Sequence, residues 1–275
     1  MPLANLPSGI EIAYDLNGVS EGNPALFVHG HGSRGSTFTD FIPHLIDSFY
    51  ILTPDLRGHG ASGKPVGETY EETLTYYTIG HFVEDLRELV DTIEFPKPFV
   101  LLGHSMGGMI AQEFALKYAD IVSHLILCST APSWSSAGRV GVLEHLKNGA
   151  FQLEPNFFRE ACRMGMTRAF RKAHPEVIES SVQSRLLVPP DAYIGSMENL
   201  ITSFDTRDRL GNLQVPTLIL VGDQDAMVDS SQSAVMHELI SNSKLVVIPG
   251  QNHGLFHEVP ELVAAEMKNF IQNTE

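Results

Sequence analysis

The segment that most constrains this chain is a serine flanked by glycines, where two hydrophobic patterns meet. Four apolar residues, Phe99 to Leu102, precede it and are typical of a strand buried on both faces. After it, apolar residues recur at helical spacing as far as Leu116. Between them lies a Gly-x-Ser-x-Gly pattern at residues 103–107. The sequence therefore predicts a strand, a sharp turn and a helix, with Ser105 at the tip of the turn.

The two glycines of this pattern have a steric reason. The residues two before and two after the tip approach each other, and glycine removes the collision of a Cβ atom. The tip side chain then stands exposed at a helix N-terminus, where free N–H groups and the helix dipole favour an anion. Ser105 is thereby placed as a nucleophile, and the N–H of Met106 can bind an oxyanion. The alternative is an ordinary strand–helix turn rich in small residues.

The composition limits the class of protein. The chain has 275 residues, of which 43% are hydrophobic, enough for a large core. A net charge of −15 argues against nucleic acid and anionic membranes as partners. Two cysteines, Cys128 and Cys162, indicate no disulfide framework. Because no leader peptide and no long apolar run is visible, we expect a cytoplasmic protein without a membrane partner.

Strand and helix patterns alternate at both ends of the chain. Strands are predicted at 11–17, 25–28, 50–52, 99–102, 124–128, 216–222 and 244–249. An amphipathic helix is predicted at 78–93, and further helices at 230–240 and 260–271. The strand at 11–17 alternates only weakly and is predicted to lie at the edge of the sheet. The patterns favour an α/β fold with a mostly parallel central sheet flanked by helices.

The alternation stops between residues 131 and 211, where short helical stretches are broken by Gly and Pro. This segment has 10 basic and 9 acidic residues, against 8 and 24 in the rest of the chain. We predict an inserted helical cap at 131–211 and a core formed by 1–130 and 212–275. Its apolar residues can form the core of the cap or line a pocket above Ser105: Trp134, Phe151, Phe157, Phe158, Met164, Met166, Phe170 and Met197. Its cations Arg159, Arg163 and Lys172 can face solvent or an anionic substrate.

Three predicted strands end in residues that can act together. A serine hydroxyl needs a base within hydrogen-bond reach, and the base needs an acid that orients it. Because the carboxyl ends of parallel strands converge, Ser105, Asp225 and His253 are candidates for these roles.

Neighbouring residues are the alternatives. Asp225 is preferred to Asp223 because it lies further out on the loop, and Asp229 is more distant still. His253 is preferred to His257 because it directly follows the last strand.

Histidines also stand beside two of the predicted turns. His104 precedes the serine, and we expect its side chain to point away from the hydroxyl and to have a structural role at the pocket. His29 and His31 lie two apart in a glycine-rich turn, where Gly30 lets the backbone approach a ligand. A metal site there would need a further ligand, and no nearby carboxylate or cysteine supplies one, so we expect no metal.

Five motifs together resemble the α/β-hydrolase-fold superfamily, in its branch of small carboxylesterases, enol-lactonases and meta-cleavage C–C hydrolases. They span 29–32, 54–62, 103–108, 222–225 and 252–260. In the second motif, Asp55 and Arg57 are expected to be a structural clamp of the loop. Ser105 separates the chain from haloalkane dehalogenases and epoxide hydrolases, which use an aspartate there.

The resemblance implies a second oxyanion donor, assigned by position to the N–H of His31, beside that of Met106. It implies a Ser-Asp-His triad in that chain order, without a cofactor, in a monomer or homodimer. The expected function is hydrolysis of a small ester or lactone through an acyl-enzyme. A C–C hydrolase using Arg159 or Arg163, an acyltransferase and a ligand receptor on the same scaffold remain as alternatives.

Overall fold

The computed structural model describes residues 1–149 and 152–274, so Phe151 of the predicted cap lies outside it. Within these residues one sheet of eight strands is formed, in the order β1-β2-β4-β3-β5-β6-β7-β8. The strands are β1 Leu3–Asn5, β2 Glu11–Gly18, β3 Asn23–Val28, β4 Phe49–Pro54, β5 Phe99–His104, β6 Val122–Cys128, β7 Thr217–Gly222 and β8 Ser243–Ile248. The pairs from β4 to β8 are parallel, whereas β2 pairs antiparallel with β1 and β4. The predicted, mostly parallel sheet is confirmed.

The helices cover both faces of the sheet. They are α1 Tyr70–Thr75, α2 Ile79–Thr92, α3 Met106–Lys117, α4 Ala137–Lys147, α5 Pro155–Met164, α6 Arg168–Ala173, α7 Pro175–Leu186, α8 Pro190–Thr202, α9 Ser230–Leu239, α10 Leu255–Glu258 and α11 Pro260–Gln272. Successive side chains of a strand point to opposite faces. Accordingly Leu26 packs in a cluster with Phe114 of α3, and its neighbour Phe27 packs in a second cluster with Met267 of α11.

The prediction that β2 lies at the sheet edge is wrong, because β1 pairs along its outer side. Leu3 and Ala4 of β1 stand opposite Ala13 and Ile12 of β2. A three-residue strand is too short to give a periodic signal in the sequence, which is why β1 was not predicted.

Helices α4 to α8 all lie between β6 and β7, as the interruption of the sequence pattern predicted. An isolated bridge pairs Ser133 with Asp205, at the two ends of this insertion. Asn199 of α8 accepts a hydrogen bond of 2.8 Å from the N–H of Ile79, at the start of α2. The division into a core and a separate cap stays a prediction. Among the described residues, no helix has the length and apolar character needed to cross a bilayer.

The loop after β4 is held by two buried acids. Asp55 accepts hydrogen bonds of 2.8 Å from the N–H groups of Gly35 and Ala61. Arg57 instead reaches helix α2, where its Nε and Nη2 atoms each lie 2.5 Å from an oxygen of Asp85. The side chains of this ion pair are 6% and 3% exposed. Arg57 therefore ties the loop to α2, while Asp55 orders the loop itself.

Removing the charge of Asp85 tests this tie. Asp85→Asn leaves the Arg57 cation buried without a counter-charge, so the free energy of unfolding should fall by about 3–5 kcal/mol. Asp91→Asn on the same helix breaks exposed pairs with Arg87 and Lys97, and it should cost about 1 kcal/mol or less. Urea unfolding measures the free energy of unfolding of both variants. Equal losses would contradict a larger contribution from the buried Arg57–Asp85 pair.

Candidate active site

Ser105 lies at a sharp turn between β5 and α3. Its backbone angles are φ 54° and ψ −119°, a conformation that residues other than glycine rarely adopt. A Cβ atom on Gly103 would lie 2.3 Å from the Gly107 carbonyl oxygen, and one on Gly107 would lie 2.1 Å from that of Val28. Only glycine fits at either position, so the packing of α3 against β3 and β5 imposes the strained turn.

Two backbone N–H groups beside Ser105 are without a hydrogen-bond acceptor among the described residues. They belong to Met106, the first residue of α3, and to His31 in the loop after β3. This loop lies close to the serine, since a Cβ atom on Gly30 would be 3.1 Å from that of Ser105. The role of these two N–H groups as oxyanion donors stays a prediction.

His253 and Asp225 form a hydrogen-bonded pair. His253 Nδ1 is 2.9 Å from Asp225 Oδ2 and 3.1 Å from Oδ1. Oδ1 also accepts hydrogen bonds of 2.9 and 2.8 Å from the N–H groups of Met227 and Val228. Burial acts to raise the pKa of Asp225, but the His253 partner and these N–H groups outweigh it and lower the pKa. An ionised Asp225 keeps the imidazole proton on Nδ1 and leaves Nε2 as a proton acceptor.

Ser105 and His253 line the same cavity, whose volume is about 110 Å³. The Ser105 hydroxyl makes no hydrogen bond within the described part of the chain, so its contact with His253 Nε2 is not formed. Such contacts are often long without substrate and shorten in the substrate complex. The cavity wall includes Gly30, His104 and Trp134, the residues predicted for a substrate pocket, and also His31. Asp225 and Met106 are not part of the cavity wall. Asp225 contacts His253, and Met106 is relevant to the site only through its backbone N–H.

The alternative acids and base have other partners. Asp223 accepts a 2.7 Å hydrogen bond from Gly250 N, and Asp229 accepts one of 2.8 Å from Ser231 N at the start of α9. His257 lines the cavity, but its Nδ1 lies 2.9 Å from Asp40. The structure thus brings Asp225 to His253 and pairs the other three residues elsewhere.

His104 supports the loop that carries His253. Its Nε2 lies 3.1 Å from the His253 carbonyl oxygen, and the two rings are 4.8 Å apart. Burial, followed by the charge of His253, lowers the pKa of His104 to about 3. The ring is therefore neutral and donates from Nε2 to the carbonyl.

A group of buried histidines orders the loop of Gly30 and His31. The Nε2 atoms of His29 and His59 accept hydrogen bonds of 3.0 Å from Leu56 N and 3.2 Å from Gly32 N. Burial is the main cause that lowers the pKa of His29 to about 4 and that of His59 to about 3. Both rings are thus neutral, as acceptors at Nε2 must be.

Metal binding has no support at this loop. His29 Nδ1 lies 2.8 Å from the Gly30 carbonyl oxygen, so both of its ring nitrogens already have backbone partners. His31 Nε2 is occupied by a 2.9 Å hydrogen bond to the Tyr193 carbonyl oxygen of α8.

The insertion contributes cavity residues that the sequence analysis missed. Cys162 and Arg185 line the cavity. Met166 lines it too, and it is one of the apolar residues of the insertion that the sequence analysis named as possible lining. Of the others, Phe158 and Met197 are buried in the core and Met164 is exposed. Of the two arginines predicted to serve a carboxylate, Arg159 pairs with Glu179 at the surface, and Arg163 is exposed. Sequence periodicity does not reveal which face of an insertion helix turns towards the core, so nothing in the sequence pointed to Arg185.

The buried histidines predict a pH-dependent stability. In the unfolded chain His59 takes up a proton below about pH 6.5, whereas its pKa in the fold is about 3. The unfolded state therefore binds more protons between these values, and the free energy of unfolding falls as the pH falls. In His59→Gln, whose amide oxygen can still accept from Gly32, the decline from pH 6.5 to 5 should be smaller by about 1 kcal/mol per pH unit.

Urea unfolding at several pH values measures this difference. The exposed His237→Gln is the matched control and should follow the wild-type curve. A His59→Gln curve parallel to the wild type would contradict the assignment of a neutral His59.

Comparison with known proteins identifies the fold family. A family model for the alpha/beta hydrolase fold matches residues 23–260. The structure of a thermophilic esterase from Thermogutta terrifontis, with malate bound, is 30% identical and superposes with a TM-score of 0.86 over 99% of this chain and 98% of that one.

Curated relatives match over similar lengths. A proline iminopeptidase of Pestalotiopsis fici is 28% identical, over 96% of this chain and 97% of its own. A 3-oxoadipate enol-lactonase of Acinetobacter baylyi is 25% identical, over 95% and 94%. The resemblance seen in the motifs is confirmed: the chain belongs to the alpha/beta hydrolase fold family.

Proposed function

We propose that this protein is a serine hydrolase that cleaves a small carboxylic ester or lactone through an acyl-enzyme. The observation that carries the proposal is the Asp225–His253 pair, whose histidine lines one cavity with the strained Ser105. Family membership supports it, and so do relatives named as an esterase and an enol-lactonase.

In the first half of the reaction, Ser105 Oγ attacks the carbonyl carbon and its proton passes to His253 Nε2. The carbonyl electron pair moves to oxygen, and the N–H groups of Met106 and His31 bind the resulting anion. Each such donor is worth about 3 kcal/mol of barrier. Asp225 stabilises the imidazolium. The bond to the leaving alcohol then breaks, and His253 gives its proton to the alkoxide.

In the second half, water attacks the acyl group on Ser105. His253 accepts a proton from the water, and the same two N–H groups bind the second oxyanion. The bond to Ser105 Oγ breaks, the carboxylic acid leaves, and the proton on His253 returns to the serine. With a lactone the alcohol stays attached to the acyl group, so the product is a hydroxy acid.

The cavity favours a short acyl group. Its volume is about 110 Å³, whereas pockets for drug-sized ligands span roughly 300–1,000 Å³. Trp134, Met166 and Met227 form apolar parts of its wall. Acetyl and propionyl esters should therefore be better substrates than octanoyl esters.

One observation favours a second candidate, the hydrolysis of a C–C bond in a substrate that carries a carboxylate. Arg185 lines the cavity, and among residues 1–149 and 152–274 no carboxylate forms an ion pair with it. Its Nη1 donates to the Ser181 carbonyl oxygen at 3.2 Å. A guanidinium has further N–H groups in a fork that matches a carboxylate. Such a substrate would use the same serine, histidine and aspartate.

Removing the proposed nucleophile tests the main function. Ser105→Ala should lower kcat for p-nitrophenyl acetate by about 10⁴-fold or more, because the attacking group is lost. Ser181→Ala removes another hydroxyl from the cavity wall and should keep most of the activity. Undiminished turnover by Ser105→Ala would overturn the proposal. Acylation of the wild type without turnover would favour a receptor or an acyltransferase.

Removing the Arg185 cation tests whether the cavity binds a substrate carboxylate, which the second candidate requires. Arg185→Met should raise KM for the p-nitrophenyl monoester of succinic acid by about 10–100-fold, the loss of a charged hydrogen bond. KM for the neutral acetate should change little. Arg159→Met, at an arginine paired with Glu179, is the control and should leave both unchanged. Equal effects of Arg185→Met on the two esters would exclude recognition of a carboxylate.

A further inference from the structure

Asn252 stands where three segments of the chain meet. These are the loop after β7 with Asp225, the loop after β8 with His253, and the connection between α5 and α6. The Asn252 side chain is buried, with 8% of the residue exposed. Asn252 itself has no part in the chemistry proposed above.

The amide oxygen of Asn252 holds the two loops that carry Asp225 and His253. It accepts a hydrogen bond of 3.0 Å from Ala226 N, the residue directly after Asp225. It also accepts one of 2.8 Å from the N–H of His253 itself. One atom therefore fixes the backbone at both ends of the Asp225–His253 hydrogen bond. A misplacement of about 1 Å in such a pair can cost about 10²-fold in rate.

The amide nitrogen of Asn252 points to the insertion. It donates a hydrogen bond of 2.9 Å to the carbonyl oxygen of Met164, at the end of α5. Next to it, Gly254 N donates to Gly165 O at 2.9 Å. Met164 is followed by Gly165 and Met166, which line the cavity beside Ser105.

A second tie joins the same segment to the core without touching the Asp225 loop. Glu258 of α10 accepts hydrogen bonds of 3.1 and 3.2 Å from the N–H of Thr167, the residue before α6. The Glu258 carboxylate also accepts from the Thr167 hydroxyl. This tie serves as a natural control, because it holds the insertion but not the two loops.

We propose that Asn252 is a positioning residue with two separable tasks. Its oxygen sets the geometry of the Asp225–His253 pair, and its nitrogen docks the α5–α6 connection onto the His253 loop. The cavity wall and the proton acceptor are thereby assembled together. Among side chains of this length, only an amide offers an acceptor and a donor at once. This inference rests on the proposed serine hydrolase function.

The two tasks predict different kinetic effects with p-nitrophenyl acetate. Asn252→Ala should lower kcat by about 10–100-fold, because His253 and Asp225 lose their shared anchor. The labelling rate of Ser105 by a fluorophosphonate should fall with it. Glu258→Gln weakens only the tie to the insertion, so it should raise KM severalfold and leave kcat within about twofold of the wild type.

Asn252→Asp separates the two ends of the side chain. It keeps the accepting oxygen and replaces the donor to Met164 by an oxygen. On the plateau above the acid limb of the pH profile, its kcat should recover to within about threefold of the wild type. Its KM should rise as in Glu258→Gln. Circular dichroism and thermal melting establish whether each variant is folded. If Asn252→Ala does not fold, the kcat and KM of Asn252→Asp test the proposed role of Asn252.

Several results would overturn the inference. One is a folded Asn252→Ala with the kcat of the wild type. Another is an Asn252→Asp variant whose kcat falls as far as that of Asn252→Ala. A third is that Asn252→Ala and Glu258→Gln change kcat equally, or change KM equally, so that the two tasks cannot be told apart. Ser105→Ala, assayed in parallel, keeps the two proposals apart. If it stays active, the serine hydrolase function fails; if it is inactive while Asn252→Ala is unaffected, only the role of Asn252 fails.

Discussion

The candidate site depends on how closely helix α3 approaches the sheet. A single added carbon on Gly107 would stand 2.1 Å from the Val28 carbonyl oxygen of β3. That approach holds Ser105 at φ 54°, and a residue in such a conformation stores about 1–3 kcal/mol of strain. The strain persists because residues on both sides of the turn are packed in the core. The loop of Gly30 and His31 follows β3 directly and is therefore brought to the serine by the same packing.

The sheet and the insertion contribute different parts of the site. The strand ends supply Ser105, Asp225 and His253, whose relative positions follow from the parallel order of β5, β6, β7 and β8. The insertion supplies much of the opposite wall, including Trp134 and Arg185. In the proposed function, the strand ends carry the reaction and the insertion shapes the substrate pocket, and the two are joined where the insertion is bonded to the loop of His253.

Burial keeps two of the histidines near the serine neutral, and the proposed base is distinguished from them by its carboxylate partner. The chain has 12 histidines, and several stand near the serine. Burial lowers the pKa of His29 to about 4 and that of His104 to about 3, so these rings stay neutral and serve as hydrogen-bond partners of the backbone. His253 alone among the described histidines is bonded to Asp225. The ionised carboxylate stabilises the protonated form that a base must reach.

The sequence by itself determined the elements whose signals are local. Periodicity located the central strands and helices, and helix α2, predicted at 78–93, runs over Ile79–Thr92. The glycines at 103 and 107 predicted the turn because a side chain on Gly103 would meet Gly107 within the same five residues. The contact that excludes a side chain at 107 is with Val28 of β3, and only the fold shows it. The proposed roles of Asp225 and His253 followed from loop position, and they remain proposals.

Only the tertiary structure decided the features that depend on residues distant in sequence. Strand β1 is too short for a periodic signal and is defined by its pairing with β2. The partner of Arg57 is Asp85, 28 residues away on another element. Arg185, rather than Arg159, reaches the cavity, because the packing of helices selects which side of an insertion helix faces the core. A hydrophobic pattern predicts that a helix has an apolar and a polar face, but the contacts with the rest of the molecule determine which residues lie at the cavity.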